Sequence, residues 1–315
     1  MKIVFLDAAT MGSDISFAPI AGLGQLVCYE TSSPEEALHR VKDCEVLIVN
    51  KVKVTPELID AAPSLRLICE AATGVNNIDL DYAASKGIPV RNVAGYSTDS
   101  VVQTTFMHIL ALVGRSAYFD SAVKSGAYSC SGIFTDVTVP FSELSGKTMG
   151  IIGMGTIGHR VAGVAEAFGM HVSYFSTSGT SHCKDYPSLP LEALLSGSDV
   201  VSIHAPYNDR TAGLIGAAQL SMMKPDSVIV NMGRGGIVDE SALAAAVDAG
   251  KIAGAALDVF SAEPLPEDSP LLKMSHPERL ILSPHIAWAS VEARGRLVRM
   301  IADNIAEVCG SIRLR

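Results

Sequence analysis

The chain has 315 residues, 48% hydrophobic and 18% charged, which at roughly 150 residues per domain means about two domains, able to bury a core without disulfides or metals. Lys and Arg number 24 against 33 Asp and Glu, a net charge of −9, and no basic block stands out to grip a phosphate backbone, so nucleic acid is excluded as an expected partner. No apolar run reaches the roughly 18 to 20 residues of a membrane helix, and Ile3–Leu6 is too short for a signal-peptide core before Asp7, so a cytoplasmic protein with no membrane partner is expected.

In chain order, Ile3–Leu6, Leu26–Tyr29, Val46–Val49, Leu67–Cys69 and Val90–Asn92 read as strands, separated by helices at Pro34–Val41, Thr55–Ala61 and Asp79–Lys86. Ser33-Pro34 and Thr55-Pro56 place a cap residue before a proline suited to the first helical position. This is a small α/β unit. The apolar stripe Val101, Val102, Thr105, Ile109, Leu112 and Val113 predicts one long helix over Thr98–Lys124, crossing to a second unit.

There, six strands recur at a steady interval: Thr148–Ile152, His171–Phe175, Asp199–Ile203, Val228–Val230, Ala253–Leu257 and Leu280–Leu282. Helices at Ile157–Phe168, Leu191–Leu195, Ala217–Met222 and Glu240–Asp248 alternate with them, which predicts βαβ units in one parallel sheet, built as two halves of three strands. A last helix, Val291–Val308, is long enough to pack back onto the first unit. The expected domains are 1–98 plus 288–315, and 99–287. Cys28, Cys44, Cys69, Cys130, Cys183 and Cys309 are scattered without a C-x-x-C pair, so they read as buried thiols, and no metal is expected.

Gly153-Met154-Gly155-Thr156-Ile157-Gly158 follows a strand and opens a helix, the context in which G-x-G-x-x-G binds a dinucleotide. Gly153 permits the tight turn, Gly155 lets backbone approach a pyrophosphate, and Gly158 lets helix and strand pack closely. Free N–H groups at the helix start attract the anion. About 20 positions on, an acidic residue normally holds the ribose of NAD, but here the second strand runs into Ser176-Thr177-Ser178-Gly179. No carboxylate is present to repel a 2′-phosphate, and no Arg to bind one. His182 and Lys184 are the nearest cations in sequence, and the Ser176 and Thr177 hydroxyls suit either ribose. NAD is the expected cofactor, with NADP as the alternative.

Ligands of an open α/β sheet lie outside the carboxyl ends of its strands. Polar groups stand at four such ends: His204-Ala205-Pro206, Asn231-Met232-Gly233-Arg234-Gly235, Asp258 and His285. Reducing a 2-oxo acid needs a cation for the carboxylate, a proton donor at the carbonyl oxygen, and a group that holds the donor protonated. The planar guanidinium of Arg234, the imidazole of His285 and the carboxylate of Glu263 can supply these in turn. Asp258 is expected to hold a nicotinamide carboxamide, the plainer alternative being a helix cap.

Four motifs in order, Gly153-x-Gly155-x-x-Gly158, Asn231-x-Gly233-Arg234-Gly235, Asp258-Val259-Phe260-x-x-Glu263-Pro264 and Pro284-His285-Ile286-Ala287-Trp288, make the chain resemble the D-isomer-specific 2-hydroxyacid dehydrogenases over nearly its full length. The resemblance implies α/β architecture with two doubly wound parallel-sheet domains, a Rossmann cofactor domain inserted into a smaller flavodoxin-like substrate domain. It implies that Arg234, Glu263 and His285 are catalytic. Gly153, Gly155, Thr156, Ile157, Gly158, Ser176, Thr177, His204, Ala205, Pro206, Thr211, Asn231, Met232, Gly233 and Asp258 are the implied cofactor contacts. Ala72–Asp79 matches the family's substrate loop, where backbone N–H groups receive a carboxylate. Thr73, Gly74, Val75 and Asn76 therefore join Arg234 as implied substrate contacts, although an Asx-type turn capping the next helix explains part of that pattern. Lys51 reads as a solvated lysine, and Trp288 as a pocket wall or a packing residue.

The implied assembly is a homodimer through the long helix. The chain leaves no room after its last helix for the regulatory extension of some phosphoglycerate dehydrogenases, which favours a small unphosphorylated acid. Hydroxypyruvate or glyoxylate, reduced reversibly to the D-2-hydroxy acid by NAD(P)H, is the expected substrate. A D-lactate-type dehydrogenase and a non-catalytic NAD(H)-sensing binding protein stay open as alternatives.

Overall fold

A computed structural model describes residues 1–310. The chain divides into two units: Met1–Ser97 with the described part of Trp288–Arg315, and Thr98–Ala287.

In the smaller unit, strands with almost no polar positions require cover on both faces. β1 (Lys2–Phe5), β2 (Gln25–Cys28), β3 (Val46–Val49), β4 (Leu67–Glu70) and β5 (Val90–Arg91) are all parallel, in the order β2-β1-β3-β4-β5, a flavodoxin-like arrangement. Alternation along the strands divides the core. Ile3, Phe5, Val46, Ile48, Leu67 and Cys69 pack with residues of α1 (Ala18–Ala21) and α12 (Val291–Gly310). Val4, Leu47, Val49 and Ile68 pack with α2 (Pro34–Arg40), α3 (Pro56–Asp60) and α4 (Leu80–Ser85). Ser33 and Glu36 form a reciprocal capping box on α2, while Thr55 and Asp79 cap α3 and α4.

The larger unit opens with α5 (Thr98–Val113), α6 (Ser116–Lys124) and α7 (Ala127–Cys130). Strands and helices then alternate: β6 (Thr148–Ile152), α8 (Thr156–Ala167), β7 (His171–Phe175), α9 (Leu191–Gly197), β8 (Val200–Ile203), α10 (Ala217–Met222), β9 (Val228–Asn231), α11 (Glu240–Asp248), β10 (Gly254–Leu257) and β11 (Leu280–Leu282). The sheet is parallel throughout, in the order β11-β10-β9-β8-β6-β7. One face packs with α5 and α8, the other with α9, α10 and α11. No helix among the described residues is long and apolar enough to cross a membrane.

Three expectations need correction. The sheet is not two halves of three consecutive strands, because β8 crosses to the far side of β6. Beside β7 lies instead residues 187–189, held by Tyr174 N to Pro187 O at 3.0 Å and Leu189 N to Tyr174 O at 2.8 Å. Prolines at 187 and 190 remove the donors that would lengthen this run. The chain therefore reverses between β6 and β8, and the ligand crevice of such a sheet opens at their carboxyl ends.

The predicted single helix over Thr98–Lys124 breaks at Gly114-Arg115, where Arg115 takes a left-handed conformation with φ 51°. Its first segment, α5, packs against α8, β9, β10 and β11 of its own unit. From Ser116 to Phe141 no residue is buried. Finally, Cys28 and Cys130 are exposed, whereas Cys44, Cys69 and Cys309 are buried as expected of apolar thiols.

Candidate active site

The glycine loop sits at the crevice. Gly153 has φ 95°, and a Cβ there would stand 2.9 Å from the backbone of Ala205, so the first glycine also lets the β6 and β8 loops touch. A Cβ on Gly155 would meet nothing within 4 Å, leaving room for a bulky anion. The first intrahelical bond of α8 is His159 N to Gly155 O at 2.9 Å, and no described acceptor takes the N–H groups of Met154 to Gly158. A helix start with N–H groups free in this way suits an anion.

Beside it, Thr211 Oγ1 donates to Pro206 O at 2.7 Å and accepts from Asn208 N at 2.9 Å, which closes the loop after β8. His204 bonds Ser202 Oγ through Nε2 at 2.8 Å, and its buried Nδ1 has no partner. Burial pushes this imidazole down to about 3, so it is neutral at physiological pH and suited to orienting rather than proton transfer.

The loops after β9, β10 and β11 lie side by side because their strands are neighbours. After β9, Asn231 braces the turn: its Oδ1 accepts from Gly233 N at 3.0 Å and its Nδ2 donates to Arg234 O at 2.9 Å. Arg234 is exposed, with Nη1 on the Gly233 carbonyl at 2.8 Å. Gly235 admits no side chain, since a Cβ would collide with the Phe260 carbonyl of the loop after β10. In that loop Glu263 Oε1 accepts from Phe260 N at 3.0 Å, and Oε2 meets His285 Nδ1 at 2.7 Å. The structure thus brings Glu263 and His285 together and ties the Arg234 turn to them through Phe260. His285 Nε2 has no described partner.

Asp258 is 1% exposed. Oδ1 accepts from Ser283 Oγ at 2.6 Å and Ile286 N at 2.9 Å, Oδ2 from Ala287 N at 2.8 Å, and its carbonyl from His285 N at 2.8 Å. The sequence reading missed this bracing of the histidine loop.

In the smaller unit, no described acceptor takes the N–H groups of Thr73, Gly74, Val75, Asn76 or Asn77, while Thr73 Oγ1 donates to Val93 O at 3.0 Å. Asp7 pins the loop after β3 by accepting from Asn50, Lys51 and Val52 N–H groups at 2.6 to 3.1 Å. Lys51 is exposed, and Trp288 packs edge-on to Tyr96.

Two further features lay outside the sequence reading. Arg210, in the loop after β8, donates through Nη1 to the Ser178 carbonyl, setting a guanidinium on the loop that was thought to lack one. Only spatial adjacency of the two loops reveals it. His159, Cys183 and Asp185 also bring a nitrogen, a sulfur and an oxygen within 4.8 Å of one another, the His159–Asp185 pair closing at 2.9 Å.

Residues 106–287 match the model of the D-isomer specific 2-hydroxyacid dehydrogenase NAD binding domain. The chain belongs to this family. It is 33% identical over 313 residues to a hydroxypyruvate reductase of Blautia hydrogenotrophica, covering 98% of this chain and 96% of that one. Among solved structures it resembles D-lactate dehydrogenase from Aquifex aeolicus, complexed with NAD and lactic acid, at a TM-score of 0.84 and 31% identity over 99% of this chain and 96% of that one. An NADPH-dependent glyoxylate/hydroxypyruvate reductase from Sinorhizobium meliloti aligns with a TM-score of 0.81 and 28% identity, over 96% of this chain and 93% of that one. The protein is therefore an NAD(P)-linked oxidoreductase of the D-2-hydroxyacid dehydrogenase type, with the Rossmann and flavodoxin-like sheets described above.

In this dehydrogenase, Asp258→Ala leaves the Ser283 hydroxyl and the Ile286 and Ala287 N–H groups without their acceptor. Losing hydrogen bonds to a buried charge costs on the order of 3 kcal/mol, so urea unfolding of the variant should show a clearly lower midpoint, whereas Ser283→Ala should move it much less.

Proposed function

We propose that this enzyme reduces hydroxypyruvate or glyoxylate, reversibly, to the D-2-hydroxy acid. The observation that carries the chemistry is the 2.7 Å contact between His285 Nδ1 and Glu263 Oε2, because it commits one ring nitrogen to the carboxylate and leaves Nε2 to exchange a proton with substrate. A bound reduced nicotinamide supplies the hydride. His285 Nε2 gives its proton to the carbonyl oxygen as the alcohol forms, and takes it back in oxidation. Arg234 binds the carboxylate through a planar fork and polarises the carbonyl. In the smaller unit, the N–H groups of Thr73, Gly74, Val75 and Asn76, which find no described acceptor, suit a carboxylate.

For the cofactor, the backbone of Gly153, Gly155, Thr156, Ile157 and Gly158 would hold the pyrophosphate. Ser176 and Thr177 would serve the adenosine ribose. His204, Ala205, Pro206 and Thr211 would line the crevice, while Asn231, Met232, Gly233 and Asp258 would hold the nicotinamide. Asp258 Oδ2 accepts from Ala287 N alone among described donors, which leaves a lone pair for a carboxamide. Arg210 supports NADP beside NAD, since it lends positive charge to a ribose loop that carries no acid.

The exposed apolar residues Ile133, Phe134, Val137 and Phe141, at 63%, 89%, 80% and 63% exposure, support a homodimer, because large apolar side chains concentrated in one short exposed segment favour an interface. All six thiols are free, which suits a cytoplasmic setting.

His285→Ala should lower turnover by roughly a hundredfold or more with cofactor binding intact, and Arg234→Ala should chiefly raise KM, in assays comparing hydroxypyruvate, glyoxylate and pyruvate. Wild-type activity in His285→Ala would remove the mechanism. Arg210→Ala should raise the dissociation constant of 2′,5′-ADP roughly tenfold in calorimetry while leaving that of 5′-AMP nearly unchanged. Phe134→Asp with Val137→Asp should shift the light-scattering mass from dimer toward monomer.

A further inference from the structure

The smaller unit buries a carboxyl group that the chemistry above does not use. Glu70 ends β4 with 0% exposure. Its Oε2 accepts from Asn77 Nδ2 at 2.9 Å, and its buried Oε1 has no partner. The same Asn77 nitrogen donates to Val52 O at 3.1 Å, and the Asn77 carbonyl accepts from Val54 N at 2.7 Å. Glu70 therefore fixes Asn77, and Asn77 fixes the end of the 73–77 run against residues 52–54. That run is the one whose N–H groups find no described acceptor.

The charges around Glu70 give its ionisation a direction. Asp7 after β1 opposes a second negative charge, and Lys51 after β3 favours one. Cys69 precedes it on β4, and the charged groups of α3 and α4 with their caps, Glu57, Asp60, Asp79, Asp81 and Lys86, are exposed to solvent. Burial, reinforced by Asp7 and opposed by the Asn77 bond and Lys51, pushes the Glu70 carboxyl up to about 8. The group is therefore a neutral acid at physiological pH.

We propose that Glu70 is a positioning residue, kept as the neutral acid, that sets the 73–77 run for the substrate's carboxylate and weakens binding of that anion when it ionises. This rests on the reading that the run receives the carboxylate. An ionised Glu70 would place a negative charge, with one oxygen lacking a donor, on the side chain that holds Asn77 at the end of this run, and like charges oppose one another.

The test is the KM and kcat of the full-length enzyme for hydroxypyruvate from about pH 6 to about pH 9.5, across the range in which a raised carboxyl titrates, for wild type, E70Q, E70A and Asn76→Asp. In wild type, KM rises severalfold through the alkaline range with kcat little changed by Glu70. E70Q, which keeps an acceptor for Asn77 and cannot ionise, holds KM near the neutral wild-type value across the range. E70A raises KM at every pH. The rest of the site is common to wild type and E70Q, so the Glu70 contribution is the difference between the two. If E70A fails to fold, the comparison with E70Q carries the test alone. An alkaline rise in E70Q equal to that of wild type overturns the proposal. Asn76→Asp separates the two failures: an unchanged KM removes the reading of the run itself, whereas a raised KM with E70Q tracking wild type removes only the role of Glu70.

Discussion

The buried carboxylate of Asp258 is the contact on which the larger unit's chemistry depends. It takes the Ser283 hydroxyl and the Ile286 and Ala287 N–H groups, and the Asp258 carbonyl takes the His285 N–H. Those bonds hold His285 at φ 54°, a left-handed conformation that costs a non-glycine residue roughly 1 to 2 kcal/mol. At this backbone position the imidazole meets Glu263 from the loop of the neighbouring strand at 2.7 Å. Such strain persists only where the surroundings over-determine it, and here both carboxylate oxygens and a carbonyl do so.

The smaller unit repeats the device. Asp7, at the end of its first strand, accepts the N–H groups of Asn50, Lys51 and Val52 from the loop after β3, as Asp258 does for the loop after β11. In both sheets an acid at a carboxyl end binds the loop of another strand, and in both the loops so anchored are the ones assigned chemistry. Parallel strands deliver their loops to one edge, and buried acids with several donors fix the loops there. Glu70 has one described hydrogen bond, from Asn77, where Asp7 has three backbone partners, and burial pushes the Glu70 carboxyl up.

Much of this was legible in the sequence because apolar runs bounded by turns set the strands, and the glycine loop announced a strand-to-helix turn that the structure shows as a donor-lined cradle. The expected pairing of Glu263 with His285 is met by their 2.7 Å contact, since the loops after neighbouring strands β10 and β11 carry them. What was not legible depended on three-dimensional adjacency. The break at Gly114-Arg115 interrupts an apolar stripe that gives no warning of a left-handed residue. The 187–189 run is too short to register as a strand, so the order of the sheet was misread. Arg210 is 34 residues from Ser176 in sequence, and only the crossing of β8 brings its loop beside Ser178. Glu70 lies just past the expected strand Leu67–Cys69, and nothing local marks it as fully buried and bonded to Asn77.

In the proposed chemistry His285, held against Glu263 and anchored by Asp258, moves the proton in both directions of the reaction. The most direct measurement is the pH dependence of kcat/KM for reduction and for oxidation of one substrate pair, in wild type and in His285→Asn. The expected result is limbs of opposite sign, reduction falling and oxidation rising with pH, and both limbs absent from the residual activity of the variant. Limbs of the same sign, or the same limbs surviving in His285→Asn, would contradict it.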